Sequence, residues 1–280
     1  MIISQALREA TAKLAAAGID SARLDARLLL AEALGVSGTW LFNHANDELA
    51  DESAFATLIE RRAKREPVSL ILGRREFWSL EFTVTRDTLS PRPDSETLIE
   101  AILAELPDRS RPLSLLDLGT GTGCLLLSLL SELPAARGIG VDIDPDTLAV
   151  AKGNAERLGL SGRAEFVRSD WWQNISGRYD VILSNPPYIP SGEISGLDPE
   201  VAKFEPLGAL DGGADGLDAY RRLVAGAGYF LAEQGVIAFE VGAGQARDVA
   251  ALLAEAGFAS RQARKDLAGI ERCVVAARSA

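Results

Sequence analysis

The feature that most constrains the fold is an apolar run of strand length that leads into a glycine-rich loop and then into a helical pattern. The run covers 113–118, and the helical pattern is formed by leucines at 125, 126, 129 and 130. A strand, a glycine loop and a helix in this order are typical of nucleotide-type cofactor sites in α/β proteins. We therefore predict cofactor binding at the loop residues Gly119, Thr120, Gly121, Thr122 and Gly123.

The spacing of the glycines argues against a dinucleotide. The dinucleotide fingerprint has its third glycine three residues after the second, where this chain has Cys124. Further along, the run 138–141 leads to Asp142, which is suitably placed to accept hydrogen bonds from ribose hydroxyls. The alternative is that Asp142, Asp144 and Asp146 only cap the next helix. Asp144 precedes Pro145 and fits the cap best, which leaves Asp142 for the ligand.

Apolar runs near 113, 138, 164, 179, 235 and 270 alternate with helical patterns. This alternation predicts an α/β fold with a doubly wound, mostly parallel sheet. We predict three parts: a helical domain over 1–75, a hairpin linker over 76–92, with its strands between Phe77 and Val84, and a cofactor-binding domain over 93–280.

The helical domain is predicted from apolar spacing. One helix is predicted to use Ile3, Leu7, Ala10 and Leu14 as its apolar face. A second follows Ser21, uses Leu24, Leu28 and Ala31, and ends at Gly35. A third is predicted over 52–64.

The tetrapeptide Asn185-Pro186-Pro187-Tyr188 follows the apolar run 179–183. It is therefore predicted to lie at the carboxyl end of a strand, where open α/β sheets bind ligands. Two prolines remove two backbone donors and leave carbonyls and the Asn185 amide free to accept hydrogen bonds. Such an acceptor cluster suits a planar NH2 group, although the tetrapeptide could instead be a rigid turn.

The predicted strand near 164 is followed by Ser169, Asp170, Trp171 and Trp172. An indole at the carboxyl end of a strand offers apolar area and a π face to a purine. We predict that Trp171 lies near the adenine of the cofactor, with core packing as the alternative, and that Trp172 is structural.

Composition points to a cytoplasmic enzyme. The chain has 280 residues with 47% hydrophobic content and a formal net charge of -11, and it has no apolar stretch long enough to span a bilayer. The negative charge argues against stable DNA binding. The basic run Arg61-Arg62-Ala63-Lys64-Arg65 is interpreted as a solvated helix end, with docking of a partner as the alternative. The stretch from Pro190 to Asp218 is too long for an ordinary connection, so we predict a lid or substrate loop, with disorder as the alternative.

Several segments together resemble the peptide chain release factor glutamine N(5)-methyltransferase family over nearly the whole chain. They include the glycine loop, 185–188, 24–30, 65–68, 73–78, Leu-Ser-Pro-Arg-Pro-Asp-Ser-Glu at 89–96, Phe-Glu-Pro at 204–206 and Leu-Asp-Gly-Gly-Ala-Asp-Gly-Leu at 210–217. The Pro-Arg-Pro and Asp-Gly-Gly segments narrow the resemblance to this family, because Asn-Pro-Pro-Tyr is shared by enzymes that methylate several kinds of amino group.

The resemblance implies a seven-stranded methyltransferase sheet that binds S-adenosylmethionine. It implies methylation of the glutamine in the Gly-Gly-Gln motif of class 1 peptide chain release factors, with the helical domain recognising the substrate and the enzyme acting as a monomer. Asn185 and Pro186 would hold the amide, with Pro187 beside them, and Asn185 would also contact the cofactor. Tyr188 would pack on the amide or the sulfonium. Methylation of a ribosomal protein glutamine, or of an exocyclic amine in DNA or RNA, remains the alternative.

Overall fold

The computed structural model describes residues 1–261 and 263–279, which divide into two compact units. The first unit contains residues 1–74 together with 198–204, and the second contains the rest of the described residues. Residues 198–204 come from the middle of the long connection 190–218. That connection is folded and includes a short α-helix and 3-10 turns at 194–196 and 207–209, so the alternative of disorder is wrong.

The first unit is helical. Its apolar spacing places Ile3, Ala6, Ala10 and Leu14 on one buried face of the first helix. The second helix ends at Gly35, which adopts a left-handed conformation, as the sequence predicts. The helices of this unit are α1 (Ile3–Ala16), α2 (Ala22–Leu34), α3 (Gly38–Asn43), α4 (Ser53–Ala63), α5 (Val68–Leu72) and, from the long connection, α9 (Pro199–Phe204).

The apolar face predicted for α2 is wrong. Leu24 and Leu28 are 59% and 42% exposed, whereas the helix buries the ridge that contains Asp25, Ala26 and Leu29. The reason is an ion pair, because Asp25 accepts a hydrogen bond of 2.7 Å from Nε of Arg62 on α4. Because this pair allows a charged residue on the buried side, α2 buries a different face from the one that leucine spacing alone predicts.

The basic run at the end of α4 is not a solvated helix end, so that interpretation is wrong for its central arginine. Arg62 is 5% exposed and also donates to Glu200 of α9 at 2.9 Å. Arg65 donates to the second Glu200 oxygen at 2.6 Å and to the Gly18 carbonyl at 2.7 Å. Burial raises the pKa of Glu200, but the hydrogen bonds from Arg65 and Arg62 outweigh it and lower this pKa below its usual value. The arginines therefore organise the interior of the first unit.

Replacing Arg62 with leucine is expected to destabilise the first unit by about 3 kcal/mol, because it leaves the Asp25 carboxylate buried without its partner. Hydrogen exchange of the α2 and α4 amides would measure the loss of protection. Lys64→Leu is the control, since Lys64 directly follows α4 and is exposed, so its replacement leaves no buried carboxylate without a partner. Equal protection in the two variants would contradict the structural role of Arg62.

The second unit is α/β. The strands β1 (Arg74–Phe77) and β2 (Leu80–Thr83) form a hairpin that begins before the predicted start at Phe77. The strands of the large sheet are β3 (Ser114–Leu118), β4 (Arg137–Asp142), β5 (Ala164–Arg168), β6 (Tyr179–Ser184), β7 (Leu231–Glu240), β8 (Phe258–Ser260), β9 (Arg264–Lys265) and β10 (Glu271–Arg278). The helices are α6 (Glu96–Glu105), α7 (Cys124–Glu132), α8 (Pro145–Arg157), α10 (Asp218–Phe230) and α11 (Ala246–Glu255).

The sheet has the strand order β5-β4-β3-β6-β7-β10-β8, and β9 pairs with β10. Strands β3 to β7 are parallel, whereas β10 runs antiparallel to β7 and β8. This confirms the predicted doubly wound, mostly parallel sheet. The described residues give it eight strands, one more than the seven that the resemblance implies, because the short β9 adds to β10. The chain first adds β4 and β5 on one side of β3 and then returns to add β6 on the other. The carboxyl ends of β3 and β6 therefore form a topological switch point, the usual ligand site in such sheets.

Each face of the sheet has its own apolar core. On one face, Leu115, Leu183 and Val275 pack against α6, α7 and α8. On the other face, Ile182 and Phe239 pack against α10 and α11. These cores hold the strand ends that carry the site. In the described part of the chain, no helix has the length and apolar character needed to cross a membrane.

Candidate active site

A cavity of about 410 Å³ opens at the carboxyl ends of β3, β4, β5 and β6 in the second unit. Its volume lies within the range of small-molecule sites. Its lining includes residues of four predicted motifs: the glycine loop after β3, Asp142 after β4, Trp171 after β5 and Asn185 after β6. The sequence motifs therefore converge because parallel strands present their carboxyl ends at one edge.

A backbone N–H of the glycine loop donates a hydrogen bond to the Asp142 carboxylate. The Gly121 N–H donates to Oδ2 of Asp142 at 3.1 Å, and the Asp144 N–H donates to Oδ1 at 3.2 Å. Burial raises the pKa of Asp142, while the hydrogen bonds from the backbone oppose this shift. Asp144 accepts from the Asp146 N–H at 2.9 Å, which confirms that Asp144 is the cap of α8.

Asp117, in the strand that precedes the glycine loop, supports that loop. It is fully buried in β3 and accepts a hydrogen bond of 2.7 Å from the Thr120 hydroxyl. Burial raises its pKa to about 7, and the hydrogen bond from Thr120 opposes that shift. Asp117 was not among the predicted site residues, because an acidic residue inside an apolar strand gives no signal of its own.

The indole of Trp171 lies over Gly119. A Cβ added to Gly119 would be 3.5 Å from the indole, which is an ordinary contact, and it is the φ of 75° that favours glycine at this position. Trp171 itself has a φ of 53°, a costly conformation for a bulky residue. Arg222 holds it in place, with the guanidinium 6.0 Å from the ring centroid and two bonds of 2.7 Å to Asp170. Trp172 instead stacks on Phe230.

The Asn-Pro-Pro-Tyr segment follows β6 directly, as predicted. Asn185 lines the cavity, and its Nδ2 donates to the Ser95 hydroxyl at 3.3 Å. The amide donor therefore points to Ser95, and Oδ1 is the oxygen left to accept. Within the described residues, no group donates a hydrogen bond to the Pro186 carbonyl. Asn185 and Pro186 thus carry two acceptors on adjacent residues, of which Asn185 lines the cavity and Pro186 lies buried next to it.

The Asp-Gly-Gly-Ala-Asp-Gly motif at 211–216 contacts the end of the Asn-Pro-Pro-Tyr segment and the residue after it. Ile189 and Asp211 form a parallel bridge, and Gln245 donates to the Tyr188 carbonyl at 2.9 Å and to the Gly216 carbonyl at 3.4 Å. A Cβ at Gly216 would be 2.3 Å from the Tyr188 carbonyl oxygen. Glycine is thus required at position 216 for the close approach of the two backbone segments. Burial raises the pKa of Tyr188 to about 12, so its phenol stays neutral.

The Pro-Arg-Pro and Phe-Glu-Pro segments form part of the rim of the cavity. Arg92 and Pro206 line the cavity, and Arg92 donates to Glu205 at 2.5 Å. Burial raises the pKa of Glu205, and the charge of Arg92 opposes that shift. An arginine held in this way fixes the rim of the cavity near Asn185.

Most predicted site residues line the cavity, and three lie behind its surface. The lining includes Gly119, Thr120, Gly121, Thr122, Asp142, Trp171, Asn185 and Pro187. Gly123 is the N-cap residue that precedes α7, and Pro186 is buried. The Tyr188 ring packs against Gly242. The structure adds Ser95, Arg92 and Arg222 to the lining. No group of histidine, cysteine or acidic side chains suited to a metal ion occurs among the described residues.

Comparison with known proteins agrees with this arrangement. Residues 5–73 match the family model of the PrmC N-terminal domain, and residues 93–196 match that of the methyltransferase small domain. A methyltransferase from Pyrococcus furiosus shares the fold, with a TM-score of 0.53 and 14% identity over 82% of this chain and 100% of that one. The second unit therefore has the fold of a class I methyltransferase.

Two curated relatives identify the family. The release factor glutamine methyltransferase of Rhodospirillum rubrum is 49% identical over 100% of this chain and 86% of the relative. That of Cereibacter sphaeroides is 49% identical over 99% of this chain and 98% of the relative. The chain belongs to the release factor glutamine methyltransferase family.

Proposed function

We propose that this protein transfers a methyl group from S-adenosylmethionine to the side-chain amide nitrogen of the glutamine in the Gly-Gly-Gln motif of class 1 release factors. The observation that carries the proposal is the pair of acceptors formed by Asn185, which lines the cavity, and the carbonyl of the adjacent Pro186. Asn185 has its amide donor held by Ser95, and the neighbouring Pro186 carbonyl receives no hydrogen bond from the described residues. A primary amide presents the two N–H donors that such a pair can accept.

The residues around the cavity fit S-adenosylmethionine. The Trp171 indole over Gly119 offers a flat apolar surface to adenine. Asp142 is fixed by two backbone N–H groups and keeps lone pairs for ribose hydroxyls. The glycine loop allows the close approach of the cofactor. When bound, S-adenosylmethionine supplies an electrophilic methyl group on a positively charged sulfur.

The acceptor pair addresses the chemical difficulty of the reaction. An amide nitrogen is a poor nucleophile, because its lone pair is delocalised into the carbonyl group. Hydrogen bonds from its two N–H groups to Asn185 Oδ1 and the Pro186 carbonyl orient the nitrogen and favour the positive charge that it gains in the transition state. The nitrogen becomes strongly acidic only after it is alkylated, so no base is needed before attack. The neutral Tyr188 phenol is consistent with a packing role against the amide or the sulfonium.

The remaining assignments follow from the same proposal. The first unit recognises the release factor, and the enzyme acts as a cytoplasmic monomer. Its arginine run is already engaged with Asp25, Glu66 and Glu200, so other surfaces of this unit would make the contact.

The test is incubation of the purified protein with isotopically labelled S-adenosylmethionine and a purified release factor. Mass spectrometry should locate the methyl group on the glutamine of the Gly-Gly-Gln motif, and a release factor with that glutamine changed to alanine should stay unlabelled. Parallel incubations with ribosomal protein and with nucleic acid cover the alternatives. Label in either of these, and none in the release factor, would contradict the proposal.

Asp142→Ala is expected to weaken cofactor binding by about tenfold, because it removes the ribose acceptor and the anchor of the Gly121 N–H. Titration calorimetry with S-adenosylmethionine measures the dissociation constant. Asp144→Ala is the control: it removes the cap of α8, which costs about 1 kcal/mol of stability, without removing the acceptor. An unchanged dissociation constant in Asp142→Ala would exclude Asp142 from the ribose site.

A further inference from the structure

Glu240 is a buried acid beside the proposed amide acceptors. It is the last residue of β7, and β7 pairs with β6, so Glu240 lies next to the position where Asn185 leaves the sheet. The side chains of Leu183 and Ala238 point to the same core, which places those of Asn185 and Glu240 on that face as well. Glu240 is only 2% exposed, and it does not line the cavity.

The Glu240 carboxyl belongs to a network that ends on Asn185. Its side chain interacts with the Ser95 hydroxyl and the Asn185 amide, and Asn185 Nδ2 also donates to Ser95. One carboxyl oxygen, Oε2, is buried without a hydrogen-bond partner among the described residues. A buried acid that is not fully paired costs stability. The core packing of β7 therefore does not explain why an acid occupies this position.

We propose that Glu240 is a positioning residue for methyl transfer. Together with Ser95, it holds the Asn185 amide with Nδ2 turned inward and Oδ1 turned toward the substrate. In its ionised form Glu240 also accepts a hydrogen bond from Nδ2 and so polarises the Asn185 amide. Oδ1 then becomes a stronger hydrogen-bond acceptor and better stabilises the positive charge that develops on the substrate nitrogen. This inference rests on the proposed function, because it assigns a role to Asn185 in that reaction.

The charge state of Glu240 gives the proposal a pH dependence. Burial raises its pKa to about 7, while the Ser95 hydroxyl, the charge of Arg272 and the Asn185 amide oppose the shift. Below this pKa the carboxyl is neutral, and above it the carboxylate forms, so the rate of methyl transfer should rise with pH through about 7. Other titratable or charged groups that interact with it are Asp94, Cys124, Tyr188, Tyr220 and Cys273.

The experiment compares Glu240→Leu and Glu240→Gln with the wild type at saturating S-adenosylmethionine and release factor. Glu240→Leu is expected to lower kcat by about 10- to 100-fold, the range known for residues that orient metal ligands in an active site. Glu240→Gln keeps an acceptor oxygen for Asn185 and should recover most of the loss at pH 6. Its kcat should not rise through pH 7 as that of the wild type does. Cofactor affinity, measured by calorimetry, should stay within about twofold in both variants.

Two controls separate positioning from folding. Glu233→Leu changes an exposed acid on the same strand and should leave kcat unchanged. Ser95→Ala removes the other member of the network and should lower kcat in the same direction as Glu240→Leu. Burial also raises the pKa of Asp117 to about 7, but Asp117 supports the glycine loop, so its titration should affect cofactor binding. Measuring kcat at saturating cofactor keeps this effect out of the pH profile.

Unchanged kcat in Glu240→Leu would overturn the inference, as would a Glu240→Gln enzyme that keeps the wild-type rise with pH. If Glu240→Leu does not fold, the pH profile of Glu240→Gln decides the question. If instead the wild-type protein leaves the release factor unlabelled, the proposed function fails, and that result is independent of any change at Glu240.

Discussion

Replacing Asn185 with alanine is expected to lower the rate of methyl transfer by about 10³-fold, while the affinity for S-adenosylmethionine changes by less than about twofold. The physical reason is that Oδ1 is one of the two acceptors that we propose for the substrate amide. Its loss leaves the nitrogen unoriented and removes an interaction that strengthens as positive charge develops. Single-turnover kinetics with release factor, at saturating cofactor, measure the chemical step directly.

The matched control for this change is Asn174→Ala. Asn174 also lies in a loop after a strand and donates to the Arg168 carbonyl at 2.8 Å, but it does not line the cavity. This variant should methylate the release factor at the wild-type rate. A normal rate in Asn185→Ala would remove the basis of the proposed mechanism. A loss of cofactor binding of the same size as the loss of rate would assign Asn185 to the cofactor instead.

Gly216→Ala is expected to lower kcat by about 10²-fold and to destabilise the second unit by about 3 kcal/mol. The new Cβ would lie 2.3 Å from the Tyr188 carbonyl oxygen and 2.5 Å from Nε2 of Gln245, and the residue would retain a φ of 75°. The Tyr188 carbonyl must move, and the acceptor pair lies two and three residues before it, at Pro186 and Asn185. Thermal unfolding and kcat should therefore change together.

Gly192→Ala provides the control within the same long segment. A Cβ there meets nothing within 4 Å, and the backbone is not in the left-handed region, so stability and kcat should both stay near wild type. Equal effects in the two variants would indicate that the segment acts as a whole and not through its contact with Tyr188. A stable Gly216→Ala enzyme with normal kcat would show that the acceptor pair does not depend on this brace.

The sequence predicted those parts of the second unit whose positions depend on residues that are close to them in the chain. The glycine loop, the Asp144 cap and the Asn-Pro-Pro-Tyr segment all lie where their motifs indicate, because each is fixed by the strand directly before it. The short strands β8 and β9 were missed, since two or three residues give no periodic signal. The catalytic and binding roles assigned to the motif residues stay predictions.

The errors have a common physical origin in buried charge. Leucine spacing predicted the wrong face of α2 because the pairing of Asp25 with Arg62 allows an acid into the core. The arginine run was assigned to solvent for the same reason, since its partner Glu200 lies far along the chain. Glu240 gave no signal either, because an acid at the end of a strand is ordinary unless its neighbours in space are known. Partners that are distant in sequence cannot be read from local patterns.

The placement of Trp171 also provides the cavity with its own optical probe. Indole emission depends on what stacks on the ring and on how much water reaches it. Trp171 lies on the cavity wall beside Gly119, whereas the ring of Trp172 is stacked on Phe230. Adenine occupying the cavity would quench the fluorescence of the first indole and leave the second unchanged, so a Trp171→Phe protein supplies the blank for a label-free binding curve.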